Sequence, residues 1–252
     1  MTPHLSAIVT LHNEGVLAHT ALNAYLQSRR FARDEGFRVQ LVFVLDNADS
    51  QTKAVAMSHP MLDGSEIFVE ATHGDLALAR NSGISASSGE YICTLDGDDL
   101  VSRRYFSCHL IEAAKNDRRT ILHPEMVVSF GMYNAFNWQV DQAGEYFDQD
   151  SLLTINPWIS AAFCHRETFE ETPYRACYPR TTGFGYEDWY WNCETIAKGF
   201  VHRLAWGAVY VYRRKFHGSL NEASHGMRSV IPPTSLFKAG SLWASQENEH
   251  AR

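Results

Sequence analysis

The 252-residue chain has little of what would set it outside the ordinary globular class. Cysteine is scarce: Cys93, Cys108, Cys164, Cys177 and Cys193 are odd in number and scattered, with no CxxC pair. That spacing argues against a disulfide framework and a zinc ribbon, and it fits the reduced thiols of a cytoplasmic protein. Nowhere do ~18 apolar residues run together, so no membrane-spanning helix is expected. The stretch Leu5–Leu11, ahead of His12-Asn13-Glu14, is too short for the core of a signal peptide and lacks a cleavage site. Positive charge is in deficit, with 22 Lys and Arg against 29 Asp and Glu, a net charge of -7 and a pI near 5.9. A broad nucleic-acid surface is thereby disfavoured, and any phosphate binding must be local. Internal repeats, low-complexity tracts and clear linkers are absent.

What is present is 45% hydrophobic and 20% charged, enough for a full core. Leu5–Leu11 reads as a buried strand and Glu14 to about Phe31 as a helix, since Val16, Leu17, Ala21, Leu22, Tyr25 and Leu26 recur at helical spacing. The alternation repeats with a strand over Val39–Leu45, a short helix over Ser50–Ser58, a strand over Glu66–Glu70, a helix from Asp75 to about Ser87 and a strand over Tyr91–Leu95. Such βαβ units predict a mostly parallel sheet with right-handed crossovers. Beyond a helix over Ser102–Asn116 the pattern changes. Met126–Val140 is aromatic and β-prone, which predicts a strand or hairpin added to the sheet. Trp158–Cys164 reads as a further strand and Glu167–Glu171 as a short helix. Pro173–Gly185 reads as a loop, Tyr186 to about Lys198 as a helix, and Val209–Tyr212 as the last strand before an irregular tail.

The chemistry lies where strands end. Tyr91–Leu95 runs into Asp96-Gly97-Asp98-Asp99, and the carboxyl edge of an open α/β sheet is where ligands usually bind. Gly97 permits a tight turn, so Asp96 and Asp98 can converge on a Mg2+ or Mn2+ ion shared with a substrate's phosphates; an ordinary Asp-Gly turn is the alternative. His12-Asn13-Glu14 and Asp46-Asn47 end two other strands and would share that edge. Arg80, in Arg80-Asn81-Ser82-Gly83, could neutralise a diphosphate or form a salt bridge. In Gly183-Phe-Gly-Tyr-Glu-Asp-Trp-Tyr-Trp191, Glu187 and Asp188 either answer the helix dipole or supply a general base, while Trp189, Tyr190 and Trp191 either pack the core or floor an acceptor pocket. Arg213-Arg-Lys-Phe-His217 is either a solvated face or a local phosphate clamp, with His217 a candidate metal ligand.

From about Leu5 to Asn221 the chain resembles the family 2 glycosyltransferases of the GT-A fold. The resemblance rests on Ile8-Val-Thr-Leu-His-Asn-Glu14, Val44-Leu-Asp-Asn47, Ala79-Arg-Asn-Ser-Gly83, Gly89-Glu-Tyr-Ile-Cys-Thr-Leu-Asp-Gly-Asp-Asp99 and Glu187-Asp188. It implies a Rossmann-like, mostly parallel sheet flanked by helices, with an antiparallel portion in the C-terminal half. One catalytic domain over 1–221 would divide into a nucleotide-binding half, about 1–100, and an acceptor-binding half, about 101–221, with 222–252 as an extension or tail. The implied activity is hexosyl transfer with inversion, from a nucleotide-sugar donor (UDP- or GDP-sugar) to a hydroxyl of a glycan or lipid-linked acceptor, with Mn2+ or Mg2+ as cofactor. Carried over by position, Thr10, His12, Glu14, Asp46 and Asn47 would hold the nucleoside. Arg80, Asp96 and Gly97 would border the diphosphate, ribose or donor sugar. Asp98 would hold the metal with Asp99 or His217, and Asp188 would be the base with Glu187 beside it. Leu45-Asp-Asn-Ala48 departs from the family's usual second-strand motif, which often has two acids and a Gly-Ser pair.

The competing classes are a sugar-phosphate nucleotidyltransferase, which would need a Gly-rich basic loop after the first strand, and a glycan- or nucleotide-binding module without turnover. The Leu236–Trp243 segment could dock a cytoplasmic enzyme peripherally at the inner face of a membrane, or pack on the domain.

Overall fold

A computed structural model describes residues 2–215 and 224–237. Strands β1 (Leu5–Leu11), β2 (Val39–Asp46), β3 (Ile67–Ala71) and β4 (Tyr91–Asp96) pair in parallel in the order β3-β2-β1-β4. All seven residues of β1 are buried, which is why it is a continuous apolar run: both its faces are covered. Leu5, Ala7, Val9 and Leu11 point into a core shared with α1 (Leu17–Asp34), α2 (Ser50–Met57) and α4 (Tyr105–Ala113). Ile8 points the other way, into a core with α3 (Leu76–Ala86), α5 (Arg166–Glu171) and α7 (Glu187–Ala197). The result is three layers.

The sheet continues past β4 through β8 (Phe163–His165), β6 (Thr120–Gly131), β9 (Val201–Arg214) and the two-residue β5 (Leu100–Val101). Here β4–β8, β8–β6 and β9–β5 are antiparallel and β6–β9 is parallel. The strand β7 (Ala135–Trp138) folds back on β6 as a hairpin. The predicted class, a mostly parallel α/β sheet with antiparallel strands added by the C-terminal half, is what forms.

Several boundaries differ from those read in the sequence. Helix α1 starts at Leu17 rather than Glu14, because Gly15 holds φ 54°, a left-handed conformation that a right-handed helix cannot contain. Strand β6 begins at Thr120, six residues early, and β9 begins at Val201 rather than Val209. Both were hidden by one irregularity: the register shifts between Pro124 and Met126, and opposite it Gly207 donates its N–H to Glu125 Oε2 at 2.7 Å. Of the Trp158–Cys164 segment only Phe163 and Cys164 are strand, in β8, since the Trp158 indole turns aside to donate to the Val140 carbonyl at 2.7 Å. The segment read as loop before Gly185 contains one helical turn, α6 (Pro179–Thr182), and β9 carries Arg213 and Arg214 as strand.

Among the described residues no helix is long and apolar enough to cross a membrane. Leu236 is buried, and with Phe237 it packs against Leu152, Trp158, Cys193 and Ile196. These two side chains therefore belong to the core rather than to a membrane-docking segment. The remaining residues of that expectation, and His217, lie outside the described residues.

Among the described residues three histidines, His109, His123 and His202, are wholly buried. His109 lies between Tyr105 and Phe163, and His123 stacks on His202 with Nε2 2.8 Å from Nδ1. Burial holds His109 down to about 4 and His123 down to about 3, so neither charges in the folded state near neutrality. The unfolded chain protonates near 6.5, so stability owed to a neutral histidine is complete above that pH and drains away below it. His109→Leu removes one such site. Relative to wild type, the variant should gain about 1.4 kcal/mol for each unit that pH falls below 6.5. Urea titrations at pH 7.5, 6 and 5 would read this; a difference constant in pH would refute it.

Candidate active site

The register β2-β1-β4 sets Thr10 opposite both Val44 and Asp96, so the ends of three strands lie side by side. Strand β1 is also where the order reverses, with β2 on one flank and β4 on the other, and crevices form at such switch points. Two glycines let the surrounding chain close on β1. A Cβ on Gly83 would stand 2.3 Å from Ile8 Cγ2, so α3 can lie this near the sheet only with glycine there. A Cβ on Gly97 would stand 2.6 Å from the Thr10 carbonyl, so the turn between Asp96 and Asp98 likewise excludes a side chain.

Arg80 projects from α3 into the space so formed, 1% exposed. Its Nη2 donates to Asp96 Oδ1 and its Nη1 to Glu187 Oε1, each at 2.9 Å. The guanidinium lies 5.3 Å from the centre of the Tyr174 ring, and its Nε has no hydrogen-bond partner. Asn81 pins the Tyr174 segment by donating to its carbonyl at 2.8 Å and accepting from its N–H at 3.2 Å. Asp75 caps α3 through Leu78 N and takes the Cys177 N–H on its other oxygen. Arg80 is thus a buried clamp between two carboxylates. Desolvation works against its charge, but Asp96 and Glu187 outweigh it and hold the guanidinium well above its ordinary range.

The second oxygen of Asp96 accepts from Ser160 Oγ at 3.0 Å, and its backbone carbonyl accepts from Tyr25 OH at 2.6 Å. Asp188 is half-buried and accepts from Asn156 Nδ2 at 3.0 Å on Oδ2; Asn192 in turn donates to Asn156 Oδ1 at 3.0 Å. Burial pushes the Glu187 and Asp188 carboxyls up, and Arg80 only partly offsets this. Tyr186, just ahead of the pair, holds φ 58° and ψ 59°, a left-handed conformation uncommon for a tyrosine.

Asp98 and Asp99 diverge. Asp98 pairs with Lys215, Nζ to Oδ2 at 2.5 Å. Asp99, 1% exposed, accepts from Tyr210 OH at 2.9 Å and from the Arg213 N–H at 2.6 Å. With both oxygens tied to β9, Asp99 anchors that strand and does not face the crevice as a metal ligand would. Of the strand-end residues, Asp46 accepts the His73 N–H at 2.6 Å, while the exposed His12 ring lies with Nδ1 2.7 Å from the Asp46 carbonyl. Asn47 turns at φ 49° and donates its N–H to Ala71 O. Thr10 is buried, with Oγ1 3.5 Å from the Leu95 carbonyl.

The aromatic triplet of α7 splits. Trp191 is 1% exposed, stacks on Phe169, and donates to the Thr172 carbonyl at 2.6 Å, so it is core and not an acceptor floor. Trp189 donates to the Leu152 carbonyl at 2.9 Å, and Tyr190 is half-buried with Arg175 against its ring. Ser160, Asn156 and Tyr174 are the participants not singled out from the sequence, whereas Lys215 falls in the basic run read there as a solvated face or a phosphate clamp. The first three sit in irregular segments with no periodicity or motif to mark them.

Asp98 fits a divalent cation. It is half-buried, draws the Lys215 ammonium to one oxygen, and has Glu14 near enough for their charges to interact. Among the described residues no three His, Cys, Asp or Glu side chains converge. Mg2+ and Mn2+ commonly take one or two carboxylates and complete their shell with phosphates and water.

The model of the family described as Glycosyl transferase family 2 matches residues 6–191. A curated relative from Bacillus subtilis (strain 168), "Uncharacterized glycosyltransferase EpsJ", is 28% identical over 140 residues, 50% of this chain and 39% of that protein. The chain therefore spans about two fifths of that relative's length. S. aureus TarS (residues 1–349), solved in complex with UDP-GlcNAc, aligns with a TM-score of 0.56 at 14% identity, over 90% of this chain and 61% of that one. Mannosyltransferase PcManGT from Pyrobaculum calidifontis, in complex with GDP-Man and Mn2+, aligns with a TM-score of 0.58 at 17% identity, over 100% and 71%. At these identities the likeness to the solved structures is one of fold, and the fold is that of GT-A glycosyltransferases.

Proposed function

The chain belongs to glycosyl transferase family 2, and on that premise we propose that it moves a sugar from a nucleotide-sugar donor to an acceptor hydroxyl, with inversion and with Asp188 as general base. The observation that carries this reading is the Arg80 bridge. One buried guanidinium joins Asp96, at the end of β4, to Glu187, at the start of α7, and so fixes the donor edge against the residue next to Asp188. Glu187 is committed to that bridge, whereas Asp188 is only half-buried and oriented by Asn156, as a base that must meet an acceptor would be. A carboxyl held above its ordinary range by burial is also a better proton acceptor than an exposed one.

The nucleoside would lie along Thr10, His12, Glu14, Asp46 and Asn47, beside the diphosphate at Asp98. A divalent cation held at Asp98 would supply positive charge to the leaving diphosphate. Asp188 takes the acceptor's hydroxyl proton as its oxygen attacks the anomeric carbon. Asp96, held by Arg80, Ser160 and the carbonyl contact to Tyr25, keeps one orientation toward the donor throughout. The donors bound by TarS and PcManGT, and the Mn2+ of the latter, support a UDP- or GDP-sugar and a metal for this chain as well.

Thermal unfolding in the presence of UDP, GDP, dTDP or CMP, each with Mn2+, Mg2+ or EDTA, tests this. One nucleotide at ~100 times its dissociation constant should add ~2.7 kcal/mol of stability, and EDTA should abolish the gain. No shift with any of them, at concentrations that saturate known donors' sites, would refute the reading.

A further inference from the structure

The basic run that closes β9 contributes one cation to the carboxylates of the site. Arg213 lies against the Phe130 ring and donates through Nε to the Asp98 carbonyl at 2.8 Å; Arg214 lies over Tyr133 and Tyr212 and donates to Ser129 Oγ at 3.3 Å. Lys215 alone reaches a side-chain carboxylate, with Nζ 2.5 Å from Asp98 Oδ2. The pair is largely shielded, the lysine side chain 23% and the aspartate 14% exposed. Glu14, whose carboxylate accepts the His12 N–H, lies near enough for its charge to interact with those of Asp98 and Lys215.

We propose that Lys215 is a resident counter-cation of the donor site, which holds Asp98 while the site is empty and yields it to a divalent cation only when a nucleoside diphosphate arrives with that cation. The inference rests on the metal-dependent reading above. A metal ion on either oxygen of Asp98 would stand within a few ångströms of the ammonium on Oδ2, and in so shielded a place their repulsion favours displacement of Lys215. The diphosphate removes the conflict, because its negative charges can take the ammonium released from Asp98. Lys215 thereby couples the two ligands: each binds better in the presence of the other, by the same factor. A site without Lys215 would hold Asp98 and Glu14 with less positive charge and would take up metal unprompted.

Electron paramagnetic resonance of free Mn2+ measures this without turnover. In protein free of nucleotide, Lys215→Met should bind Mn2+ about tenfold more tightly than wild type. The enhancement of Mn2+ affinity by UDP or GDP should shrink correspondingly, while Lys215→Arg, which keeps the charge, should behave as wild type. Lys215→Gln gives the same reading should Lys215→Met lower the unfolding temperature. Equal Mn2+ affinity of wild type and both neutral variants, including failure of all three to bind, would overturn the inference. The underlying reading fails separately: Asp98→Ala would then leave nucleotide-dependent Mn2+ uptake unchanged.

Discussion

Asp188→Asn should lower transfer by about 10²–10⁴-fold, the usual worth of a general base, while leaving donor affinity within about twofold of wild type. The amide keeps the shape of the side chain. Asn156 Nδ2 still finds an oxygen at that position, so the Asn156–Asn192 contact and the start of α7 should survive. What is lost is the capacity to take a proton. The pH profile gives a second signature. Burial raises the carboxyl, so turnover should begin to fall on acidification at a higher pH than an exposed aspartate would dictate. Because Glu187 and Asp188 interact, that limb belongs to the pair and not to one residue. In Asp188→Asn the residual rate should lose its Asp188 component. Steady-state rates from pH 5 to 9, with donor affinity measured by titration calorimetry, would check both points; an unaltered rate would remove Asp188 from the chemistry.

Arg80→Met should be the most destabilising single change at the site, by about 3–5 kcal/mol, because breaking a buried ion pair leaves its partner uncompensated. Here the guanidinium has two partners, Glu187 and Asp96, whose side chains are 8% and 22% exposed. Arg80→Lys should not restore wild-type behaviour, since the two bonds come from two different nitrogens of a planar fork and one ammonium cannot reproduce that geometry. Adding Glu187→Leu to Arg80→Met should recover part of the lost stability by removing one of the orphaned charges, without recovering activity. Urea denaturation of the single and double variants measures the coupling. An Arg80→Met protein as stable as wild type would show that the bridge does not organise the site.

Strands β1, β2 and β4 were legible in the sequence because they are largely buried on both faces and read as mostly apolar runs. The convergence of His12–Glu14, Asp46 and Asp96–Asp98 followed from that reading, since parallel strands bring their carboxyl ends together. Strands β6 and β9 were blurred by Pro124 and Gly207, which mark a register shift that only the pairing reveals. Arg80 stood out by its place in Arg80-Asn81-Ser82-Gly83, but its burial between Asp96 and Glu187 depends on a separation of 107 residues along the chain that no local pattern encodes. The same holds for Ser160 and Asn156, each brought to the site by tertiary contacts alone. Trp191 illustrates the converse. Its neighbours suggested a sugar platform, yet its helical position points it at Phe169 and Tyr174 in the core.

The most direct test of the central claim is proton NMR of a nucleotide sugar, chosen by the nucleotide the protein binds, incubated with the protein and read for the sugar first released to water, before mutarotation scrambles the anomers. Direct displacement assisted by Asp188 predicts the anomer inverted relative to the donor, and a rate that falls in Asp188→Asn. Release of the retained anomer, or an equal rate from Asp188→Asn, would contradict it.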